Sequence, residues 1–164
     1  MFRAHSLVPN VAGIKSICSD DAHVLFLEFD DTVISHVWEA CRIIQERWQL
    51  GTIYIFESSK NNYHAMCLDK LTFGTCMDIQ KSTGTMQKYM LFSVVRGYWV
   101  LRVTQKGDKP KPRLVSVMEG RSEKTKSWVH WKFLNLEYGI RKVSGLEKTG
   151  SELPIDRYTT EIRR

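Results

Sequence analysis

Some features are scarce in this chain of 164 residues, and each scarcity argues against a class of protein. The four cysteines include no CxxC pair, which argues against a disulfide framework and a four-cysteine zinc site. No apolar run approaches the roughly 20 residues that span a bilayer, so no membrane association is expected. The opening MFRAHSLVPN has no apolar segment of the kind found in secretory signals. These absences favour a cytoplasmic protein.

Three catalytic signatures are also missing. There is no GxxxxGK[ST] phosphate loop, no GxSxG nucleophile elbow, and no triplet of two histidines flanking one apolar residue. The sequence therefore argues against a P-loop NTPase, a serine hydrolase with that elbow, and a rolling-circle replication initiator.

Acidic residues are in deficit, and the basic excess is unevenly distributed. The chain has 24 Lys and Arg against 18 Asp and Glu, a formal charge of +6. Between Lys106 and Lys126 seven basic residues stand against three acids. This balance favours a polyanionic partner, nucleic acid first, although a solvated basic surface would look the same.

The length fits a single domain, with a core at about 20–135 and a polar C-terminal extension at 136–164 that is expected to be loosely ordered. Hydrophobic periodicity predicts two helices, one from about Thr32 to Leu50 and one from Asp69 to Ser82. Asp31 or Thr32 is expected to cap the first helix, and Gly51 to follow its end. The predicted strands are 23–29, 52–57, 63–68, 89–95, 98–104 and 114–118, with a weaker signal at 128–133.

This order predicts an α+β fold, a mainly antiparallel sheet covered by two helices. Arg96-Gly97 is expected to form a tight hairpin between the fourth and fifth strands, and 106–113 a loop.

The stretch FLEFDD ends the first predicted strand. Glu28 and Asp30 are one residue apart, so their side chains leave the same face of the strand. Two carboxylates so placed repel each other unless a cation lies between them, and Mg²⁺ and Mn²⁺ prefer oxygen ligands. The alternative is that Asp30 and Asp31 only cap the following helix.

A second polar stretch, SSKNNYH, separates two apolar runs. Ser, Lys and Asn offer hydroxyls, an ammonium and backbone N–H groups to an anion, and His64 follows on the next strand. The alternative is a plain hairpin turn.

Together these stretches resemble the archaeo-eukaryotic primase superfamily, the primase-polymerases of archaea, viruses and plasmids. LEFD is similar to the family's first motif, two acids one residue apart, with Glu28 in place of the more usual aspartate. SSKNNYH is similar to its second, a small residue shortly before a histidine. RGYWVLRVTQKGDKP resembles its basic stretch. The family's third acid has no match on the strands predicted at 89–95 and 98–104, and the nearest substitutes are Asp69, Asp78 and Glu119.

The resemblance implies a primase/RRM-like fold and a nucleotidyltransferase in DNA replication. Its partners would be nucleotides, single-stranded DNA or RNA, and a helicase or another replication protein. Glu28 and Asp30 would be catalytic and hold Mg²⁺ or Mn²⁺. The residues expected to bind the nucleotide are Ser59, Lys60, His64, Arg102 and Lys106. The residues expected to contact nucleic acid are Arg96, Lys109, Lys111 and Arg113.

The alternative is a non-catalytic protein that binds single-stranded DNA or RNA on the same fold. Tyr98, Trp99, Trp128 and Trp131 would then stack on bases beside the basic residues. Aromatic residues in such runs are more often part of the core than of a stacking surface.

Overall fold

A computed structural model describes residues 11–85 and 87–140, and this part of the chain contains four helices and six strands. The strands are β1 Gly13–Lys15, β2 His23–Phe29, β3 Ile53–Ser59, β4 Asn62–Leu71, β5 Val100–Arg102 and β6 Arg113–Met118. The helices are α1 Ile34–Trp48, α2 Phe73–Thr83, α3 Gln87–Arg96 and α4 Trp128–Tyr138. The α+β class with antiparallel sheets is confirmed, although four helices are present in these ranges where the sequence predicts two.

The main sheet has the strand order β2-β4-β3-β6, and every neighbouring pair is antiparallel. Since β4 is antiparallel to both β2 and β3, those two strands run parallel to each other, and α1 connects them. This is a split β-α-β arrangement, with one antiparallel strand inserted between two parallel ones. A separate small sheet pairs β1 with β5.

The core lies between the main sheet and its helices. The first five residues of β2 are buried, as its continuous apolar run predicts. Helix α1 contributes Val37, Cys41 and Ile44, which recur at helical spacing and are all buried. The predicted positions of β2 and α1 are thus correct to within a few residues.

The predicted ends of α1 are wrong. The residue that precedes the helix is Val33, and no side chain caps it there, so neither Asp31 nor Thr32 serves as the N-cap. At the other end Gln49 adopts the left-handed conformation expected of Gly51. The ammonium of Lys124 donates to the carbonyls of Trp48 and Gln49, which satisfies carbonyls that have no partner inside the helix.

Asp69 does not cap α2, because β4 continues to Leu71 and Thr72 accepts the capping hydrogen bond instead. The Asp69 carboxylate is buried, forms a salt bridge of 2.5 Å with Lys126, and accepts a hydrogen bond from the Gly51 N–H. A Cβ at Gly51 would lie only 2.8 Å from Asp69 Oδ1, so this close approach requires glycine.

The strand predicted at 89–95 is wrong, because these residues form α3. Their aromatic and β-branched side chains favour a strand by propensity, and since Ser93 is the buried residue of this helix, burial of those side chains does not explain why the segment is helical. The predicted hairpin residue Gly97 follows the helix with φ +76°, and its N–H donates to Ser93 O. The strand predicted at 98–104 shortens to β5.

The weaker strand signal at 128–133 is also wrong. Helix α4 buries His130 and Leu134, one helical turn apart, and Gly139 with φ +69° follows its end. Three residues of the predicted extension, 136–138, belong to this helix. The remainder of that extension, from 141 on, lies outside the described residues. Within the described ranges, no helix is long and apolar enough to cross a membrane.

Candidate functional site

A cavity of about 310 Å³ lies where β2, β4, β5 and α3 approach one another. Its volume is within the range of small-molecule binding sites. Seven of the residues singled out in the sequence line it: Glu28, Asp30, His64, Arg96, Arg102, Lys106 and Lys109. The other four are not among its lining residues: Ser59, Lys60, Lys111 and Arg113.

Glu28 and His64 form one wall of the cavity. They are directly opposite in the register of β2 and β4, with His64 Nε2 3.6 Å from Glu28 Oε1. His64 is only 5% exposed, and its Nδ1 is buried without a hydrogen-bond partner among the described residues. A buried polar atom that lacks a partner is costly, so this ring has hydrogen-bonding capacity that the fold itself does not use.

Asp30 lies just beyond the end of β2 and contributes the second carboxylate. Partial burial raises its pKa, and the negative charge of Glu28 raises it further. The positive charges of Lys109 and of a protonated His64 act in the opposite direction. The carboxylates of Glu28 and Asp30 are therefore close enough to repel each other. The proposed capping role of Asp30 and Asp31 is not found, because α1 begins without a side-chain cap.

The polar stretch between β3 and β4 is a tight hairpin, with Lys60 and Asn61 at its tip and Asn61 at φ +59°. Its asparagines bind the backbone of the loop that follows Asp30. The Asn61 carbonyl accepts from the Thr32 N–H, and Asn62 Oδ1 accepts from the Asp31 N–H. The turn therefore holds the acidic loop in place.

Ser59 and Lys60 are also engaged within this hairpin. The Asn62 side-chain amide donates to Ser59 Oγ and to the Lys60 carbonyl. The neighbouring Ser58 lines the cavity instead, at a register shift between Glu57 and Ser59. Such a bulge redirects a side chain.

The Arg102 guanidinium joins three segments around the cavity. It donates to the carbonyls of Ser58, Thr104 and Pro110, over 2.6, 2.5 and 2.7 Å. Burial lowers the pKa of this arginine, and the nearby Glu28 opposes that shift. Since a guanidinium has five N–H donors and three are directed at backbone carbonyls, Arg102 both positions the site and retains donors for a ligand.

Lys106 and Lys109 lie next to each other at the rim. Their backbones exchange two hydrogen bonds across the turn Gly107-Asp108, with Gly107 at φ +54°. Both side chains belong to exposed residues and line the cavity. The predicted loop thus contains a small hairpin that presents two ammonium groups together.

Sequence reasoning missed the contribution of α3. Lys88, Phe92 and Arg96 recur every four residues, lie along one stripe of the helix, and all line the cavity. This spacing is visible in the sequence only if the segment is taken as a helix. The prediction of a strand therefore concealed Lys88 and Phe92.

Three of the four aromatic residues considered for base stacking, Trp99, Trp128 and Trp131, contact another aromatic ring of the protein. Trp99 is completely buried and stacks on Phe73 with ring centroids 4.5 Å apart. Trp131 is only partly exposed and stacks on Trp128 with centroids 4.6 Å apart. Trp99 is therefore a core residue and cannot stack on a base. Tyr98 is half-buried beneath the Lys15 ammonium.

The donor set of the cavity fits a hard divalent ion only in part. Within the described residues, no group of three or more His, Cys, Asp or Glu side chains is arranged to hold a metal. Asp69 is paired with Lys126, and neither Asp78 nor Glu119 lines the cavity. A divalent ion held by the Glu28–Asp30 pair alone would have to take its remaining ligands from water and substrate phosphates.

Comparison with known proteins gives no match of this chain to a family model, a curated protein or a solved structure. The resemblance to the primase-polymerases therefore rests on the sequence motifs alone. What the geometry adds is that residues from separate motifs meet at one cavity.

Proposed function

We propose that the chain binds a nucleoside triphosphate with Mg²⁺ or Mn²⁺ in this cavity and transfers its nucleotidyl group during replication of DNA. The observation that carries the proposal is the cavity itself, which brings the two-carboxylate motif, the histidine motif and the basic stretch together. These residues are distant in sequence, so their convergence does not follow from any local pattern.

The charges around the cavity favour a polyphosphate. Basic side chains from α3, β5 and the following loop surround it, namely Lys88, Arg96, Arg102, Lys106 and Lys109. A triphosphate supplies the several negative charges that such a set attracts, and charge-assisted hydrogen bonds strengthen the contact. His64 lines the same cavity and its Nδ1 is buried without a partner among the described residues, so an N–H of this ring would donate to a phosphate oxygen once the ring turns toward the cavity.

The two acids explain why a metal belongs to the proposal. Carboxylates beside bound phosphates would repel them, and Glu28 and Asp30 would hold a divalent ion that neutralises both and polarises the reacting phosphate. In the transfer, a primer 3′-hydroxyl oxygen bonds to the α-phosphorus while the bond from that phosphorus to the β-bridging oxygen breaks. The hydroxyl proton goes to water and pyrophosphate leaves.

An extension assay tests this function. Purified protein is incubated with Mn²⁺, labelled nucleotides and a single-stranded template, with and without an annealed primer. If the wild-type protein forms extended product and the Asp30→Asn variant does not, the result supports nucleotidyl transfer in this cavity. If the wild-type protein binds nucleotide but forms no product under any condition, the proposed transfer is rejected and only nucleotide binding remains of the proposal.

A second function, non-catalytic binding of single-stranded nucleic acid, is favoured by one observation. Among the described residues the cavity has two acids and no third, whereas two-metal transfer generally shares several ligands between both ions. Titration of a labelled oligonucleotide without metal distinguishes the two functions. Tight binding that neither nucleotide nor Mn²⁺ affects, together with no extension, supports the second.

A further inference from the structure

One stripe of α3 combines an aromatic ring with two cations. Lys88, Phe92 and Arg96 are spaced four residues apart, so they lie along the same side of the helix, and all three line the cavity. The Arg96 guanidinium is 5.7 Å from the centroid of the Phe92 ring. Glu28 and His64 line the same cavity. The ring therefore stands at the edge of a strongly charged pocket.

Phe92 is unusual for a phenylalanine in this position. It is 57% exposed although it borders a cavity, and the other rings that line the same space among the described residues are those of Tyr89 and His64. A phenylalanine buried in the core would stabilise the fold by several times the thermal energy. Because Phe92 is mostly exposed, it contributes little of that stabilisation. Its exposed face is free to receive a flat apolar group.

The helix that carries Phe92 is fixed to the fold. The Tyr89 hydroxyl donates to the Val100 carbonyl over 3.2 Å. Ser93 is buried, and its hydroxyl donates to the Tyr89 carbonyl over 2.7 Å. The Tyr89–Val100 contact and the burial of Ser93, on either side of Phe92 along the chain, hold the helix against the fold, whereas the Ser93–Tyr89 bond lies within the helix.

From this arrangement we propose that Phe92 stacks on the base of the nucleoside triphosphate whose phosphates the cavity binds. The inference rests on the proposed function and extends it. It assigns the base to α3 and the phosphates to the part of the cavity lined by His64 and Arg102. Lys88 and Arg96, one turn to either side, contact the sugar-phosphate part. Stacking on a single phenylalanine accepts any base, so the site discriminates weakly between bases.

The experiment compares binding of ATP with binding of inorganic tripolyphosphate, both in the presence of Mn²⁺, by calorimetry. Phe92→Ala is expected to weaken ATP binding roughly 5- to 150-fold, the range measured for loss of one base–aromatic stack. Tripolyphosphate has no base, so its affinity is expected to stay the same. Phe92→Trp restores ATP binding, because it restores an aromatic face.

Leu91→Ala is the matched control. Leu91 is the adjacent residue of the same helix, is 64% exposed, and does not line the cavity. The Leu91→Ala variant is expected to bind ATP like the wild type.

Sedimentation of Phe92→Ala and Leu91→Ala completes the test. If both variants dissociate a dimer that the wild type forms, Phe92 belongs to a protein interface and the stacking inference is overturned.

The remaining outcomes distinguish failure of the stacking inference from failure of the proposed function. Equal losses of ATP and tripolyphosphate affinity in Phe92→Ala overturn the stacking role, because the ring then acts on the phosphate site. Unchanged ATP binding in that variant also overturns it, while the proposed function stands. Failure of the wild type to bind either ligand overturns both.

Discussion

His64 and Glu28 face each other across two neighbouring strands, with His64 Nε2 3.6 Å from Glu28 Oε1. The contact joins the last part of β2 to the start of β4, and it links the two motifs that the sequence suggests are functional. Since β2 and β4 are antiparallel, the register alone fixes which residues are opposite. The carboxylate is partly exposed to the cavity, whereas the imidazole is buried beneath it.

Replacement of His64 is expected to affect both stability and binding. Because the ring is buried in β4, His64→Ala should lower the free energy of unfolding by about 1–3 kcal/mol. Loss of a hydrogen bond to a charged phosphate should also weaken nucleotide binding roughly 10- to 150-fold. Denaturant unfolding and calorimetry at a temperature where the variant is folded measure the two effects separately.

The control for this histidine is His36→Ala, at an exposed position on α1 that does not line the cavity. It should bind nucleotide like the wild type. A His64→Ala protein that unfolds early but binds nucleotide normally would make His64 a structural residue only.

The acidic loop provides a closely matched pair of variants. Asp30 and its neighbour Asp31 are both exposed, but only Asp30 lines the cavity. Asp30→Asn removes one of two carboxylates and should reduce Mn²⁺-dependent nucleotide affinity by about tenfold or more. Asp31→Asn should have little effect, and its positive φ of 50° suits asparagine. Equal effects of the two substitutions would show that general charge, not a metal site, governs binding.

The sequence predicted the elements around this site with unequal success. Helix α1 and the hairpin β3–β4 could be predicted because apolar spacing and turn residues dictate them locally. The positions of Glu28, Asp30 and His64 followed from those elements. Convergence of these residues with Arg102 and Lys106 at one cavity depends on packing between distant segments, which no local pattern encodes.

Helices α3 and α4 show why the rest was missed. YMLFSVV and WVHWKF are rich in aromatic and β-branched residues, which favour strands by propensity. In α3 the described residue that is most buried is Ser93, a small polar residue at which the helix approaches the core. Burial of His130 and Leu134 gives a tertiary reason for α4 to be helical, whereas the aromatic and β-branched side chains of α3 are largely exposed and burial does not explain that helix.

Binding to single-stranded DNA should depend on salt, because each phosphate contact releases counterions. Lys106 and Lys109 are exposed at the cavity rim, whereas Lys111 donates to Glu137. Lys106→Gln and Lys109→Gln should each reduce the slope of log affinity against log salt by about 0.7. Lys111→Gln should change it less, because its ammonium already has a carboxylate partner.

Fluorescence anisotropy of a labelled oligonucleotide, titrated at several salt concentrations, measures these slopes. An affinity that stays flat between low and moderate salt would remove the main physical support for a nucleic-acid partner. An effect of Lys111→Gln as large as that of Lys106→Gln would show that the contact surface extends beyond the rim.

Stability should fall below pH 6.5 because of His130, which lies outside the cavity. Its ring is buried on α4, bonded to the Ser127 hydroxyl through Nδ1 and to the Lys15 carbonyl through Nε2. The neutral ring fits both partners, since Nε2–H donates to the carbonyl and Nδ1 accepts from the hydroxyl. The pKa of His130 is lowered to about 4, mainly by burial and in part by the positive charges of Lys70 and His23, although the hydrogen bond to the Lys15 carbonyl acts in the opposite direction.

The direction of the pH effect follows from these two states. The unfolded chain takes up a proton at His130 near pH 6.5, whereas the folded protein does so only near the lowered pKa of about 4. Between these values the unfolded state binds more protons, so stability falls as the pH decreases. The loss from this residue should reach about 2 kcal/mol at pH 5 relative to pH 7.5.

Urea unfolding at pH 7.5 and pH 5 measures that loss, and His130→Gln isolates the contribution of this residue. Glutamine keeps one donor and one acceptor but does not titrate, so the difference in stability between the two pH values should shrink by about 2 kcal/mol. His36→Gln on the exposed surface of α1 controls for removal of a histidine. If His130→Gln retains the full pH dependence of the wild type, the proton uptake occurs at other groups, because only the titration of His130 distinguishes the two proteins.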